Sequence, residues 1–406
     1  MTGLTTAQVA DQLGVKPETV YAYVSRGLLS RARAPGGKGS RFDPAEVALL
    51  AARNGRRGGR PMAAAPAVRT ALTLIDQGRL GYRGRDAVEL AAAESFETVA
   101  HWLWTGQLDS ACSFTAPAEL VEPARAAAAS LPTATRLTDR IRVLLTLASA
   151  ADPMRFRTDP AAVVATGSTM LATMIDALPL RGAEPQAGRL ADRLWPRLTG
   201  APTVPAGVEA LNAALVLVAD HDLAASTVAA RVAASTRAHP YAVVAAGLAA
   251  FDGPLHGAAA NHAHRVLAEA IESGDPVGVF SERLRTDGRV AGFDPHVNRA
   301  YPDGDVRAAA LLARLPELPA APAVRAGIDG LVAAARERSP SPPNIEFALA
   351  ALAQVAQMPA DAGEAIFAIG RTAGWLAHAL EEYQEPGLRF RLTGSYVGPP
   401  LDSLTG

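Results

Sequence analysis

Apolar residues recur with a 3.6-residue period through most of this chain, and that spacing predicts helices rather than strands. The clearest runs are Val163 to Leu178, Gly207 to Val218, Leu223 to Ser235, Ala242 to Ala250, Val324 to Arg336 and Ala362 to Glu382, all in Ala-rich context. Strand-like stretches are short and confined to the neighbourhood of Leu80–Gly84 and the C-terminus. The first 50 residues have a different texture. Thr5 or Thr6 is placed to cap a helix whose apolar face holds Ala7, Val9, Ala10 and Leu13, and Gly14 ends it. Lys16-Pro17-Glu18 opens a second helix carrying Val20, Tyr21 and Val24, ended by Gly27, and a third starts at Asp43 or Pro44. Gly36-Gly37-Lys38-Gly39 suits the tip of a wing. Asn54 to Pro61, rich in Gly, Arg and Pro, reads as a linker.

A chain of 406 residues is long enough for two or three domains. Its net charge of -1 gives no overall attraction to nucleic acid or membrane. The charge is uneven, however. Residues 1–60 hold ten Lys/Arg against four Asp/Glu, a net of +6, so the remainder carries -7. That asymmetry marks the N-terminal piece as a separate unit. The single cysteine, Cys112, excludes an intrachain disulfide or CxxC metal site and reads as a small buried apolar residue. The start of the chain lacks the pattern of a signal peptide, and no apolar run approaches the roughly 20 residues that span a bilayer. The expectation is a soluble, cytoplasmic protein with no membrane partner.

The most informative segment is Gly253-Pro254-Leu255-His256-Gly257, which holds a histidine in a stiff turn between two helical runs. Upstream lie Leu211-Asn212-Ala213-Ala214-Leu215 and Asp220-His221-Asp222. Downstream come Pro343-Asn344-Ile345-Glu346-Phe347 and the run Phe367 to Trp375, FAIGRTAGW. In this order these motifs resemble the citrate synthase family. Tyr82-Arg83-Gly84, Ser95-Phe96-Glu97 and Gly106-Gln107-Leu108 extend the resemblance over roughly residues 66–400. The stretch GVKPETVYAYVSRGLL resembles winged helix-turn-helix units of the MerR and excisionase type. Together the resemblances imply an all-α protein. A helix-turn-helix domain (1–53) and a linker (54–65) precede a large helical domain (66–257), a small one (258–347) and the large domain's C-terminal part (348–406). They also imply a homodimer.

Such an enzyme removes a proton from the α-carbon of an acyl thioester and directs the enol onto a ketone. That chemistry needs a carboxylate base, a hydrogen-bond donor at the thioester oxygen, a second donor at the ketone, and cations for the substrate's carboxylates. The resemblance assigns the enol-stabilising role to His256, the base to Glu346 and ketone polarisation to His296. It gives His221, Arg307, Arg371 and Arg391 to the oxo acid, with Arg391 reaching the partner subunit's site. Val290, Ala291, Gly292 and Phe293 become coenzyme A contacts. No cofactor is implied, because the acyl-CoA is a substrate. His262 and His264 stand at a spacing that does not share one helix face and lack a third ligand, so no metal is expected. His101, His239 and His378 read as structural.

The chain also departs from the family pattern. Glu346 stands where the family has aspartate, which moves the carboxylate by more than about 1 Å, a displacement able to reduce rate about a hundredfold. The loop holding His296 is about three residues longer, and the RPR element at Arg391 continues with Leu392 and Thr393. The leading reading is condensation of acetyl-CoA, or another short acyl-CoA, with oxaloacetate. Propionyl-CoA, giving 2-methylcitrate, or a pathway-specific 2-oxo acid are alternatives. The rival from another class is a metabolite sensor whose basic N-terminal unit binds DNA through its second helix, with Arg31, Arg33 and Arg41 near phosphates.

Overall fold

The computed structural model describes residues 4–13, 15–25, 28–33, 40–44, 46–47, 68–185, 188–293, 300–339, 341–391 and 396–398. The expected wing tip at Gly36–Gly39, the linker at 54–65 and the loop of His296 lie outside these residues. The chain divides into two compact units, Met1–Arg69 and Thr70–Gly406.

The first unit has helices α1 (Thr6–Leu13) and α2 (Pro17–Ser25) and a small antiparallel sheet of β1 (Leu4–Thr5), β2 (Ala32–Arg33) and β3 (Ser40–Phe42), with β3 central. Its core is Val9, Ala10, Val20, Leu29, Phe42 and Val47. The two helices meet because Val9 and Val20 are fully buried between them and the sheet.

The second unit opens with a three-stranded antiparallel sheet, β4 (Thr73–Asp76), β5 (Arg79–Tyr82) and β6 (Arg85–Asp86), in that order. Helices follow almost without interruption. They are α3 (Ala87–Ala93), α4 (Phe96–Thr105), α5 (Ala118–Ser130), α6 (Leu137–Ala151), α7 (Pro160–Asp176), α8 (Leu190–Leu198) and α9 (Pro205–Leu217). Then come α10 (Ala225–Ser235), α11 (Pro240–Phe251), α12 (Ala259–Ser273), α13 (Pro276–Asp287) and α14 (Val306–Leu312). The last are α15 (Pro322–Arg338), α16 (Ile345–Val355) and α17 (Ala362–Gln384). The six runs predicted from periodicity are all helices. Four of them begin on a proline that the apolar pattern omits: Pro160, Pro205, Pro240 and Pro322. Proline suits the first helical position, where no backbone donor is needed and φ is already set.

Helix α17 is the axis of this unit. Nearly every residue from Ala362 to Leu380 is buried, because α4, α6, α7, α9, α10, α11, α12 and α16 all pack on it. A helix buried all round is apolar on every face. The polar exceptions on α17 therefore need partners, and Arg371, His378 and Glu382 are the ones that matter below.

Candidate functional site

Arg371 sits in the middle of α17 with no exposed surface. Gly370 and Gly374 flank it, and both let the helix lie directly on the end of α9. A Cβ on Gly370 would strike Val218, and one on Gly374 would strike the Ala219 carbonyl and the Asp220 carboxylate. The close approach is pinned by two bonds: Arg371 Nε donates to the Val218 carbonyl (2.8 Å) and Gly374 N to the Ala219 carbonyl (3.0 Å). Phe367, one turn earlier, stacks against the guanidinium at 4.8 Å. The two terminal nitrogens, Nη1 and Nη2, are buried without a hydrogen-bond partner. A buried guanidinium with two idle donors is costly unless something fills them. Its planar fork matches one carboxylate. Burial weakens its hold on the proton, and nearby Asp220 opposes that.

Arg307 lies near enough to act on Arg371 electrostatically, but it is already satisfied. Asp305 caps α14 through the Arg307 amide (3.0 Å) and takes two guanidinium bonds, at 2.9 and 2.8 Å. The same carboxylate accepts from the Ile345 amide (3.0 Å), which ties Arg307 to the residue before Glu346. The Tyr301 ring packs 5.6 Å from the Arg307 guanidinium, and its hydroxyl lies 2.9 Å from His221 Nε2. Burial, then Arg307 and Arg371, hold the His221 imidazole well below its ordinary pKa. A neutral His221 therefore faces two guanidinium groups.

His256 occupies the turn between α11 and α12. The turn is closed by His256 N to the Gly253 carbonyl (2.9 Å) and Gly257 N to the Phe251 carbonyl (2.8 Å), and a side chain at 257 would collide with the Phe251 ring. Phe251 and Phe367 meet the imidazole edge-on. Nε2 is 2.8 Å from Ser226 Oγ, which also accepts the Trp375 indole N–H at 3.2 Å. The arrangement that satisfies all three groups has Ser226 donating to Nε2, which leaves the ring proton on Nδ1. Burial, then Arg371, lowers the His256 pKa to about 4, so the ring is neutral near pH 7. A neutral imidazole with Nδ1–H is a fixed donor for an oxygen that gains charge.

Glu346 is in the first turn of α16, whose cap Asn344 accepts from the Phe347 amide (3.2 Å) and donates its own amide to the Gly292 carbonyl (2.9 Å). Its Oε2 is buried and unpartnered. Burial raises its pKa, opposed by Arg307. His256 and Glu346 line one cavity of about 880 Å³ together with Val290, Ala291, Gly292 and Asn344. Arg265, Arg283 and Arg289 also line this cavity. Of the residues expected there, Phe293 turns into the core against Phe280 and Phe347. Arg391 is an exposed residue whose amide bonds to the Leu388 carbonyl, and in a single chain no described contact links it to these groups. His296 lies outside the described residues.

The structure adds four residues that the sequence reading did not single out: Asp305, Tyr301, Ser226 and Phe367. Only Asp305 left a readable signal, an aspartate two residues before an arginine at a helix start.

The fold and site define a class: a helical protein with a buried, unpartnered guanidinium fork and a cavity lined by a neutral histidine and a carboxyl group. The sequence profile of "Citrate synthase, C-terminal domain" matches residues 61–391, so the chain belongs to the citrate synthase family. A "Helix-turn-helix domain" profile matches residues 4–55. "Citrate synthase 2" of Bacillus subtilis (strain 168) is 33% identical over 54% of this chain and 60% of its own length. "Putative citrate synthase 2" of Mycobacterium tuberculosis (strain ATCC 25618 / H37Rv) is 37% identical over 51% and 56%. The match thus spans less than two thirds of either relative. "2-methylcitrate synthase 2" of Corynebacterium glutamicum is 27% identical over 76% of this chain and 86% of that protein. Two solved structures share the fold. Citrate synthase from Thermotoga maritima has a TM-score of 0.67 at 24% identity, covering 83% of this chain and 94% of that one. The Thermoplasma acidophilum enzyme, in ternary complex with carboxymethyl coenzyme A and oxaloacetate, has 0.64 at 23%, covering 83% and 95%.

Proposed function

We propose that this chain condenses acetyl-CoA, or another short acyl-CoA, with oxaloacetate to give citrate and free CoA. The observation that carries the reading is the pair of idle Arg371 donors, on a guanidinium close enough to act electrostatically on both His256 and Glu346, which line one cavity. In this reaction the Glu346 carboxylate takes a proton from the α-carbon, while His256 Nδ1–H donates to the thioester oxygen as the enol forms. The enol carbon bonds to the 2-oxo carbon, whose oxygen takes up a proton. Water then cleaves the thioester and releases the thiol. Arg371 binds one substrate carboxylate, and Arg307 and neutral His221 complete the oxo-acid side. His296 polarises the ketone, and Arg391 serves the second site of a homodimer. Val290, Ala291 and Gly292 border the CoA, and Arg265 and Arg289 suit its phosphates. The reading includes a cytoplasmic enzyme in which a large domain (66–257 and 348–406) and a small one (258–347) follow the helix-turn-helix domain and its linker.

The relative named as a 2-methylcitrate synthase supports propionyl-CoA as a further substrate, since one methylene is discriminated by only about 1–3 kcal/mol. The test is thiol release from acetyl-CoA and propionyl-CoA, each with oxaloacetate. Release with either ester is expected.

The helix-turn-helix unit favours a second reading, in which the same site senses the metabolites and the basic unit binds DNA. Tight, salt-dependent DNA binding without thiol release from any short acyl-CoA would replace the first reading with this one.

A further inference from the structure

His378 lies two turns after Arg371 on α17 and has no exposed surface. Arg231 Nη1 donates to its Nδ1 at 2.7 Å. Arginine has only donors to offer, so Nδ1 must be the bare nitrogen and the ring proton sits on Nε2. That proton points at Asp220 Oδ2, 3.2 Å away. Arg231 is itself fixed by Glu381 (2.7 Å) and Glu382 (3.2 Å), and Glu382 is clamped by Arg389 at 2.7 and 2.6 Å. The His378 ring therefore has one orientation. Asp220 Oδ2 is held from the other side by Thr73 Oγ1 at 2.5 Å.

The held carboxylate is fully buried, and its other oxygen, Oδ1, has no hydrogen-bond partner. Arg371, with two idle nitrogens, is close enough for each group to favour the other's charged form. Yet the two form no ion pair among the described residues, although Asp220 Oδ1 and both terminal nitrogens of Arg371 lack partners. Two such groups in one buried pocket would join unless one were restrained.

We infer that His378 is a positioning residue: it holds Asp220 near enough to support the charge of Arg371 but out of hydrogen-bond reach, so the guanidinium fork stays open for the substrate's carboxylate. Freed from His378, Asp220 would swing onto the fork and compete with the substrate. The inference rests on the reading of Arg371 as the oxo-acid site.

The test combines His378→Ala, His378→Gln and the double variant His378→Ala/Asp220→Asn in the full chain. Each is measured by calorimetric binding of oxaloacetate and of acetyl-CoA, with a crystal structure of ligand-free His378→Ala. One charge-assisted hydrogen bond sets the scale, so His378→Ala should bind oxaloacetate about tenfold or more weakly and acetyl-CoA as before. His378→Gln, which keeps a donor near Nε2, should recover most of that loss. The double variant should recover it too, because an amide cannot form the ion pair. In the crystal, Asp220 should rest on Arg371. The inference is overturned if Asp220 keeps its place in that crystal, or if Asp220→Asn gives no recovery. Should wild-type protein bind no oxaloacetate, the functional reading fails, and the crystal structure alone decides the positioning role. If His378→Ala does not fold, Thr73→Val loosens the same carboxylate from the other side. It should then show a smaller loss with the same rescue, and no loss would overturn the inference.

Discussion

The two halves of the site are built on opposite principles. On the side proposed for the oxo acid, Arg371, Arg307 and His221 are locked by helix contacts and hydrogen bonds, and the fork of Arg371 is the part left without a partner. On the side proposed for the thioester, His256 and Glu346 stand at the wall of a cavity, one in a loop turn and one at a helix start. The first half is ready for one charged group of fixed geometry. The second has room for something larger, with a histidine and a carboxyl group at its wall. Burial dominates protonation in the second half, and charge in the first biases it: Arg371 helps depress His256, and Arg307 restrains the rise of Glu346.

The sharpest way to break that division is Glu346→Gln. If Glu346 is the base, kcat should fall about 10²–10⁴-fold, while oxaloacetate affinity, set by the other half, stays nearly unchanged. The change should also raise Tm. Burial places the folded-state pKa of Glu346 above its unfolded value, so its stabilising contribution is present below the unfolded pKa and is lost as pH rises through the folded one. Above that folded-state pKa the ionised group opposes folding, and the amide removes that penalty. For the same reason the acid limb of kcat/KM in wild type should lie above the ordinary carboxylate range. A fall in oxaloacetate affinity equal to the fall in kcat would mean that the halves are not separate.

Arg371→Lys tests the other half. Lysine keeps the charge but loses the two-pronged geometry, so KM for oxaloacetate should rise about 10–100-fold with KM for the acyl-CoA unchanged. Steady-state kinetics with each substrate varied in turn separates the two effects. A rise in both KM values would instead mean that α17 had been disturbed.

Much of this was legible in the sequence, for reasons that can be named. Periodicity found the helices because each buries one or more apolar faces. Arg371 was conspicuous because an arginine inside an apolar helix needs a partner. Glu346 and His256 were assigned through short local motifs that resemble those of the citrate synthase family. What stayed hidden is what the fold brings together over long distances. Asp220 meets His378 across 158 positions, and His221 meets Tyr301 across 80. His378 read as structural because nothing within α17 shows that Arg231 fixes its tautomer. The satisfaction of Arg307 by Asp305 was local, but a capping aspartate and a substrate-site spacer look the same until the guanidinium is seen folded back on it.

The smallest effect should come from Ser226, which touches the thioester half from behind. Its hydroxyl sets which His256 nitrogen carries the proton, and it also receives the Trp375 indole N–H. In Ser226→Ala, His256 keeps its place in the Gly253–Gly257 turn but loses the bond that selects Nδ1–H. Neutral histidine then divides between two tautomers, and kcat should fall only about threefold to tenfold, the scale of one neutral hydrogen bond. Stability should fall by about 1–3 kcal/mol as well, because the Trp375 donor is left buried and unpaired. Denaturant unfolding reads the second effect and thiol release the first. The tautomer itself is read from the ¹⁵N shifts of His256, which should show Nδ1 protonated in wild type and a mixture in the variant. A kcat loss as large as that of Glu346→Gln would show that Ser226 takes part in the proton transfer itself, and the division between the reacting wall of the cavity and its supporting layer would have to be redrawn.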